Sequence, residues 1–212
     1  MSTETRLVTY QHSNHYQTLN AYTTKTKNSW LVLHGIGYLS RYFLRHFNGL
    51  EQGQNYIVCP EAPSKYYLKD DYKYVGASWL TKEYTDREMQ NVNSYLNAVW
   101  DKEKAKFISG SVFLGFSQGV SVLLRWMSKN KLEPQHLFLI AGSIPQELKP
   151  EDFNYLKNTK VTMIYGDEDQ YITSKRAVLE KEKLYKLFGN TSTIKTFQGG
   201  HKMPENLLPS LI

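Results

Sequence analysis

Five short apolar runs constrain this chain more than any other feature: Trp30–Leu33, Tyr56–Cys59, Val112–Leu114, Leu137–Ile140 and Val161–Tyr165. Each run is continuous rather than alternating, the pattern of a strand covered on both faces within a parallel sheet. Helical spacing fills the stretches between them. Leu39, Tyr42, Phe43 and Phe47 share a face, as do Met89, Val92, Leu96 and Val99, and again Val120, Leu123, Leu124 and Met127. Ala177, Leu184 and Leu187 make a sparser stripe. Strands alternating with helices predict an α/β fold: a mostly parallel central sheet flanked by helices and wound by right-handed crossovers. With 212 residues and no repeat or linker, the chain 1–212 reads as one domain.

Two segments break the alternation. Leu7–Tyr10 and Tyr16–Tyr22 lie close together with no helix between them, and read as an antiparallel N-terminal hairpin at the sheet edge. Glu61 to Tyr84 is rich in Tyr, Lys and Asp and has no clear period. It reads as a loop insert on the substrate side, because a long loop in a compact domain is usually functional or mobile.

Composition excludes several classes. No Pro- or Gly-dominated tract accompanies the 41% hydrophobic and 22% charged residues, which argues against fibrous and disordered chains. No run approaches the roughly 18 apolar residues of a membrane span, and Met1 to Asn20 lacks the apolar stretch of a signal peptide. Cys59 is the one cysteine, so no internal disulfide can form and a cytoplasmic setting is expected. The net charge of +6 invites a nucleic-acid partner. Its charges are interleaved, however, as in Asp101-Lys102-Glu103-Lys104 and Glu180-Lys181-Glu182-Lys183, which is the habit of solvated helix faces. With no basic block or RNA-binding aromatic motif, no nucleic-acid partner is expected.

The chemistry concentrates at Gly115-Phe116-Ser117-Gln118-Gly119, which ends one apolar run and opens a helical stretch. G-x-S-x-G in that strand–turn–helix context is a nucleophile elbow. A sharp turn lifts the Ser117 hydroxyl clear of the sheet, and the flanking glycines lack the Cβ atoms that would clash where strand and helix nearly touch. About 0.06 such motifs arise by chance in a chain of this composition, so the context makes an ordinary turn a poor explanation.

Serine needs a base, and the base an orienting acid; in hydrolases with this elbow the order along the chain is Ser, acid, His. His201 follows the last strand, Thr193–Phe197, between Gly200 and Pro204 in a loop able to present its ring. Gly166-Asp167-Glu168-Asp169-Gln170-Tyr171-Ile172 follows the preceding strand and offers three acids. Asp169 is favoured over Asp167 because Tyr171 and Ile172 would bury that end of the loop, and Glu168 ranks last. An oxyanion hole needs two backbone amides. Gln118 supplies one, and the His34-Gly35-Ile36-Gly37 loop supplies the other, assigned to Ile36. His34 then reads as a structural hydrogen-bonder.

Taken together, these blocks resemble an α/β-hydrolase of the phospholipase/carboxylesterase family, which includes acyl-protein thioesterases. Leu33-His34-Gly35-Ile36-Gly37 is similar to that family's His-Gly-x-Gly oxyanion loop, and Cys59-Pro60-Glu61-Ala62-Pro63 to its Pro-x-Ala-Pro step. Gly76-Ala77-Ser78-Trp79-Leu80 resembles its Ser-Trp element beside the acyl pocket, which implies a substrate-binding role for Trp79. In the family's Gly-Asp-x-Asp pattern the second Asp is catalytic, which again favours Asp169. Tyr38 stands where the family commonly has Asp, and the Lys65–Tyr74 insert is unusually rich in Tyr and Lys. The resemblance implies a serine esterase acting on a small acyl ester or thioester, without cofactor or metal, and leaves room for a homodimer. Two alternatives remain. One is a thioesterase or lysophospholipase using the same triad. The other is a non-catalytic binding protein on this fold, whose signature would be a missing triad member.

Overall fold

The structure is a computed structural model describing residues 2–108, 110–189 and 192–212. In chain order its elements are β1 (Tyr16–Leu19), β2 (Asn28–Leu33), α1 (Ser40–Phe43), β3 (Asn55–Pro60), β4 (Ser64–Tyr67), β5 (Val75–Ser78), α2 (Thr85–Glu103) and β6 (Ser111–Phe116). Then come α3 (Gln118–Asn130), β7 (His136–Ile140), β8 (Lys160–Gly166), α4 (Ser174–Phe188) and β9 (Thr193–Phe197). All five apolar runs lie in strands. The main sheet has the order β1-β3-β2-β6-β7-β8-β9, parallel throughout except for β1, which runs antiparallel to β3.

The continuity of those runs follows from two cores, one on each face of the sheet. Leu31, Leu33, Val58, Phe113, Leu137, Leu139 and Met163 join residues of α2, α3 and α4 on one side. Trp30, Val32, Ile57, Val112, Leu114, Phe138 and Ile164 pack on the other. Successive residues of a strand point to opposite faces, so a strand with cover on both sides is apolar at every position. The second face is covered differently from the first. In place of long helices it carries α1, the 3₁₀ turns Leu44–Phe47 and Glu205–Ser210, and their Phe43, Phe47 and Leu208 side chains.

Both irregular segments differ from their sequence expectation. The antiparallel edge strand exists, but its partner is β3, in the register Tyr16↔Pro60 to Leu19↔Ile57, and Leu7–Tyr10 is exposed and forms no strand. An open edge on the fully buried β3 offers more apolar cover than a local hairpin of exposed residues could. Within 61–84, β4 and β5 pair antiparallel as a separate two-stranded sheet, with Leu68 N–H donating to Tyr74 O at 2.8 Å beyond the last strand pair. Every residue of β4 is exposed, so no alternation of polarity marks it as a strand. Among the described residues no helix is long and apolar enough to cross a membrane.

The packing is close where β6 turns into α3. A Cβ placed on Gly119 would lie 2.1 Å from Leu33 O, and one on Gly115 would lie 2.7 Å from Val120 Cα. Both contacts are with backbone, which cannot swing aside. Gly119→Ala is therefore expected to lower stability by about 1–3 kcal/mol, read as a lower urea midpoint with unchanged slope. An unchanged midpoint would show that helix and strand can part at no cost.

Candidate active site

Ser117 occupies the single residue between β6 and α3, with φ 52° and ψ −116°. Residues other than glycine rarely adopt such a backbone, and it persists only where the surroundings impose it. Here Ser117 N–H donates to Ile140 O of β7 at 2.8 Å, while Ser117 O accepts from Val120 N at 3.1 Å inside α3. The turn is thereby stapled to both neighbours, and its hydroxyl projects from the C-terminal edge of the sheet.

Two further loops leave that edge and meet it. Ser117 Oγ donates to His201 Nε2 at 2.9 Å, and His201 Nδ1 donates to Asp169 Oδ2 at 2.8 Å. The assignment of protons follows from the acceptor. Asp169 Oδ1 takes the Tyr171 and Ile172 N–H groups at 2.8 and 3.1 Å, so the buried carboxylate acts as acceptor throughout and the imidazole proton belongs on Nδ1. The bare Nε2 then faces the serine. Tyr171 packs edge-on against the His201 ring with centroids 4.7 Å apart, and Phe116 lies 5.3 Å from it on another side.

The three candidate acids separate by contact. Asp169 alone reaches His201. Asp167 accepts from Gly199 N at 2.9 Å and steadies the loop that carries His201, and Glu168 contributes its backbone N–H to Gly199 O. Asp169 is the buried one of the three, next to the buried Ile172, whereas Tyr171 is exposed.

The loop after β2 abuts the elbow, since a Cβ on Gly35 would lie 3.0 Å from Ser117 Cβ. Among the described residues neither Ile36 N–H nor Gln118 N–H has a hydrogen-bond acceptor. His34 is fully buried: Nδ1 donates to Gly35 O at 2.8 Å and Nε2 accepts from Ala62 N at 3.1 Å. Burial pushes its pKa down to about 4, so the ring is neutral at ordinary pH.

Trp79 does not stand where a substrate-binding residue should. Its side chain is 1% exposed and lies in the core, with Nε1 donating to His34 O at 2.8 Å and the indole 5.1 Å from the His34 ring. An indole with its one N–H satisfied by buried backbone gains more from burial than from a half-wet wall. The exposed surface beside the loop after β2 belongs instead to the hairpin. Gly37 N donates to Ala77 O at 2.9 Å and Ala77 N to Tyr38 O at 3.2 Å, so β5 is bonded to the end of the loop after β2. The partly exposed Leu68 and Tyr66 side chains reach to 3.6 and 3.7 Å of where a Gly37 Cβ would be.

The Gln118 side chain is a contributor that sequence reasoning missed. Its Oε1 accepts from Trp79 N at 2.8 Å and its Nε2 donates to Leu80 O at 2.6 Å, clamping the end of the hairpin segment to the elbow. Nothing in the motif announces this, because the elbow requires only the Gln118 backbone. The close approach of the hairpin did leave a signal in Gly76, whose Cβ would lie 2.6 Å from Gly37 O.

The family model described as Serine hydrolase (FSH1) matches residues 23–208, and the chain belongs to that serine hydrolase family. No curated protein matches it by sequence. Its fold is shared with solved α/β-hydrolase-type structures. Acyl-protein thioesterase 2 of Zea mays superposes with a TM-score of 0.68 at 16% identity, covering 92% of this chain and 95% of that one. A phospholipase/carboxylesterase from Dyadobacter fermentans DSM 18053 gives 0.65 at 18%, covering 96% and 98%. Arabidopsis thaliana SOBER1 gives 0.64 at 17%, covering 88% and 96%.

Gln118→Ala keeps the backbone amide but strands the Trp79 N–H and leaves the Leu80 carbonyl with only Ser78 Oγ, at 3.1 Å. The expected loss is about 1–3 kcal/mol of stability, read by urea denaturation. A variant as stable as the parent would mean that the clamp carries no load.

Proposed function

We propose that this protein is a serine carboxylesterase that works through an acyl-enzyme on Ser117. The observation that carries the reading is the unbroken hydrogen-bonded line from Ser117 Oγ through His201 to Asp169. Ser117 attacks the acyl carbonyl carbon while His201 Nε2 takes its proton. The tetrahedral oxyanion is held by the Ile36 and Gln118 N–H groups, helped by the positive end of the α3 dipole. As the tetrahedral adduct collapses, the C–O bond to the alcohol breaks and His201 returns the proton to the departing oxygen. Water then attacks the acyl-enzyme with His201 again as base, releasing the carboxylic acid and restoring Ser117. Asp169 keeps the imidazole in the correct tautomer and stabilises its cationic form.

The acyl chain lies along the hairpin in this reading. Leu68, Tyr66 and the exposed Ile36 offer apolar surface beside the oxyanion loop. Thioester cleavage would use the same residues, with a leaving group that departs without needing the proton.

A series of p-nitrophenyl esters from acetyl to dodecanoyl, with matched thioesters, tests the reading. Ser117→Ala is expected to abolish turnover, and Asp169→Asn to lower kcat by roughly 10²–10⁴. Asp167→Asn retains an acceptor for Gly199 N and should lose about tenfold or less. Losses in the reverse order would transfer the acid to Asp167. Thioester turnover far above ester turnover at every length would replace carboxylesterase with thioesterase. Separately, Leu68→Ala is expected to cost about 1–2 kcal/mol in kcat/KM for long chains and little for acetyl. A uniform loss across the series would remove the hairpin from the acyl site.

A further inference from the structure

We infer that His34 is a positioning residue of the oxyanion hole, holding the peptide group whose N–H is that of Ile36. The inference rests on the esterase reading of the site. Gly35 C=O and Ile36 N–H belong to one planar peptide unit and point in opposite directions. A hydrogen bond that fixes the carbonyl therefore fixes where the amide points. Gly35 O has two donors, and the shorter bond comes from His34 Nδ1 at 2.8 Å, against 3.3 Å from Tyr38 N–H.

The ring is committed to this task from its other side. Ala62 N–H donates to His34 Nε2 at 3.1 Å, so Nε2 must be bare and the proton must sit on Nδ1. The Ala62 amide shares its own peptide unit with Glu61 C=O, which accepts from Asn14 Nδ2 at 2.7 Å. The donors thus run one way, from Asn14 through the 61–62 peptide to His34, through the 35–36 peptide, and out at Ile36 N–H. Hydrogen bonds in such a series polarise one another, which strengthens the last donor.

The rest of the loop is fixed by independent contacts. Trp79 Nε1 holds His34 O at 2.8 Å, while Gly37 N and Tyr38 O are bonded to Ala77 of β5. Ile36 N–H remains without an acceptor among the described residues. An ordinary buried histidine needs only two satisfied nitrogens. What sets His34 apart is the carbonyl it holds, the one back to back with that free amide.

Two substitutions separate positioning from packing. In His34→Asn, Nδ2 can replace Nδ1 as donor to Gly35 O; in His34→Gln, Oε1 can replace Nε2 as acceptor for Ala62 N–H, but Gly35 O keeps only the longer bond from Tyr38 N–H. With p-nitrophenyl acetate, His34→Gln is expected to lose about 10- to 100-fold in kcat with KM within about twofold. The Ki for a trifluoromethyl ketone, whose adduct places an oxyanion in the hole, should rise in parallel. His34→Asn should retain kcat within about threefold. Equal kcat for the two folded variants, or a Gln variant that loses stability but not kcat, overturns the inference alone. If the Gln variant lacks a cooperative melt, the Asn variant decides: a folded form losing more than about 30-fold overturns the inference. Wild-type turnover that survives Ser117→Ala overturns the esterase reading, and this inference with it.

Discussion

The backbone of Ser117 is the constraint on which the rest of the structure depends. Its φ of 52° is unfavourable for a residue with a Cβ, and nothing local to Phe116-Ser117-Gln118 would hold it. It is imposed by a parallel sheet and a helix brought so close that Gly119 nearly touches Leu33 O. That contact needs β2 beside β6, and β6 needs apolar cover on both faces to lie at the sheet centre. The loops after β2, β6, β8 and β9 leave the same sheet edge, so one topological arrangement delivers every group of the candidate site.

Precision around the elbow comes from buried polar contacts. Gln118, Trp79 and His34 each direct side-chain donors or acceptors at backbone groups within the loops that meet Ser117. Those loops would otherwise be the softest parts of the molecule. Asp167 performs the same service for the loop carrying His201. The hairpin is bonded to the loop after β2 by one strand while its outer strand stays exposed, which joins a rigid base to a half-wet rim.

Much of this was legible in the sequence for a physical reason. Strands covered on both faces write themselves as unbroken apolar runs, and the buried Asp169 is followed by an Ile172 that is itself buried. What stayed hidden were choices of partner. Tyr16–Leu19 could be recognised as an edge strand, but the preference for β3 over Leu7–Tyr10 depends on a distant open edge. Trp79 carries a motif resemblance, yet whether an indole faces substrate or core is decided by the His34 carbonyl, which no local pattern encodes. β4 is exposed at all positions and so leaves no periodicity to read. The Gln118 side chain is invisible for a similar reason, since its partners come from a segment about 40 residues earlier in the chain.

The most direct test of the central claim is covalent. The protein is treated with a fluorophosphonate at one equivalent, digested, and mapped by peptide mass spectrometry, with His201→Ala as the control. The expected result is one phosphonyl group per chain, on Ser117, formed far more slowly when His201 is absent. An adduct on another residue, or no adduct in a folded protein, would contradict the assignment of Ser117 as the nucleophile.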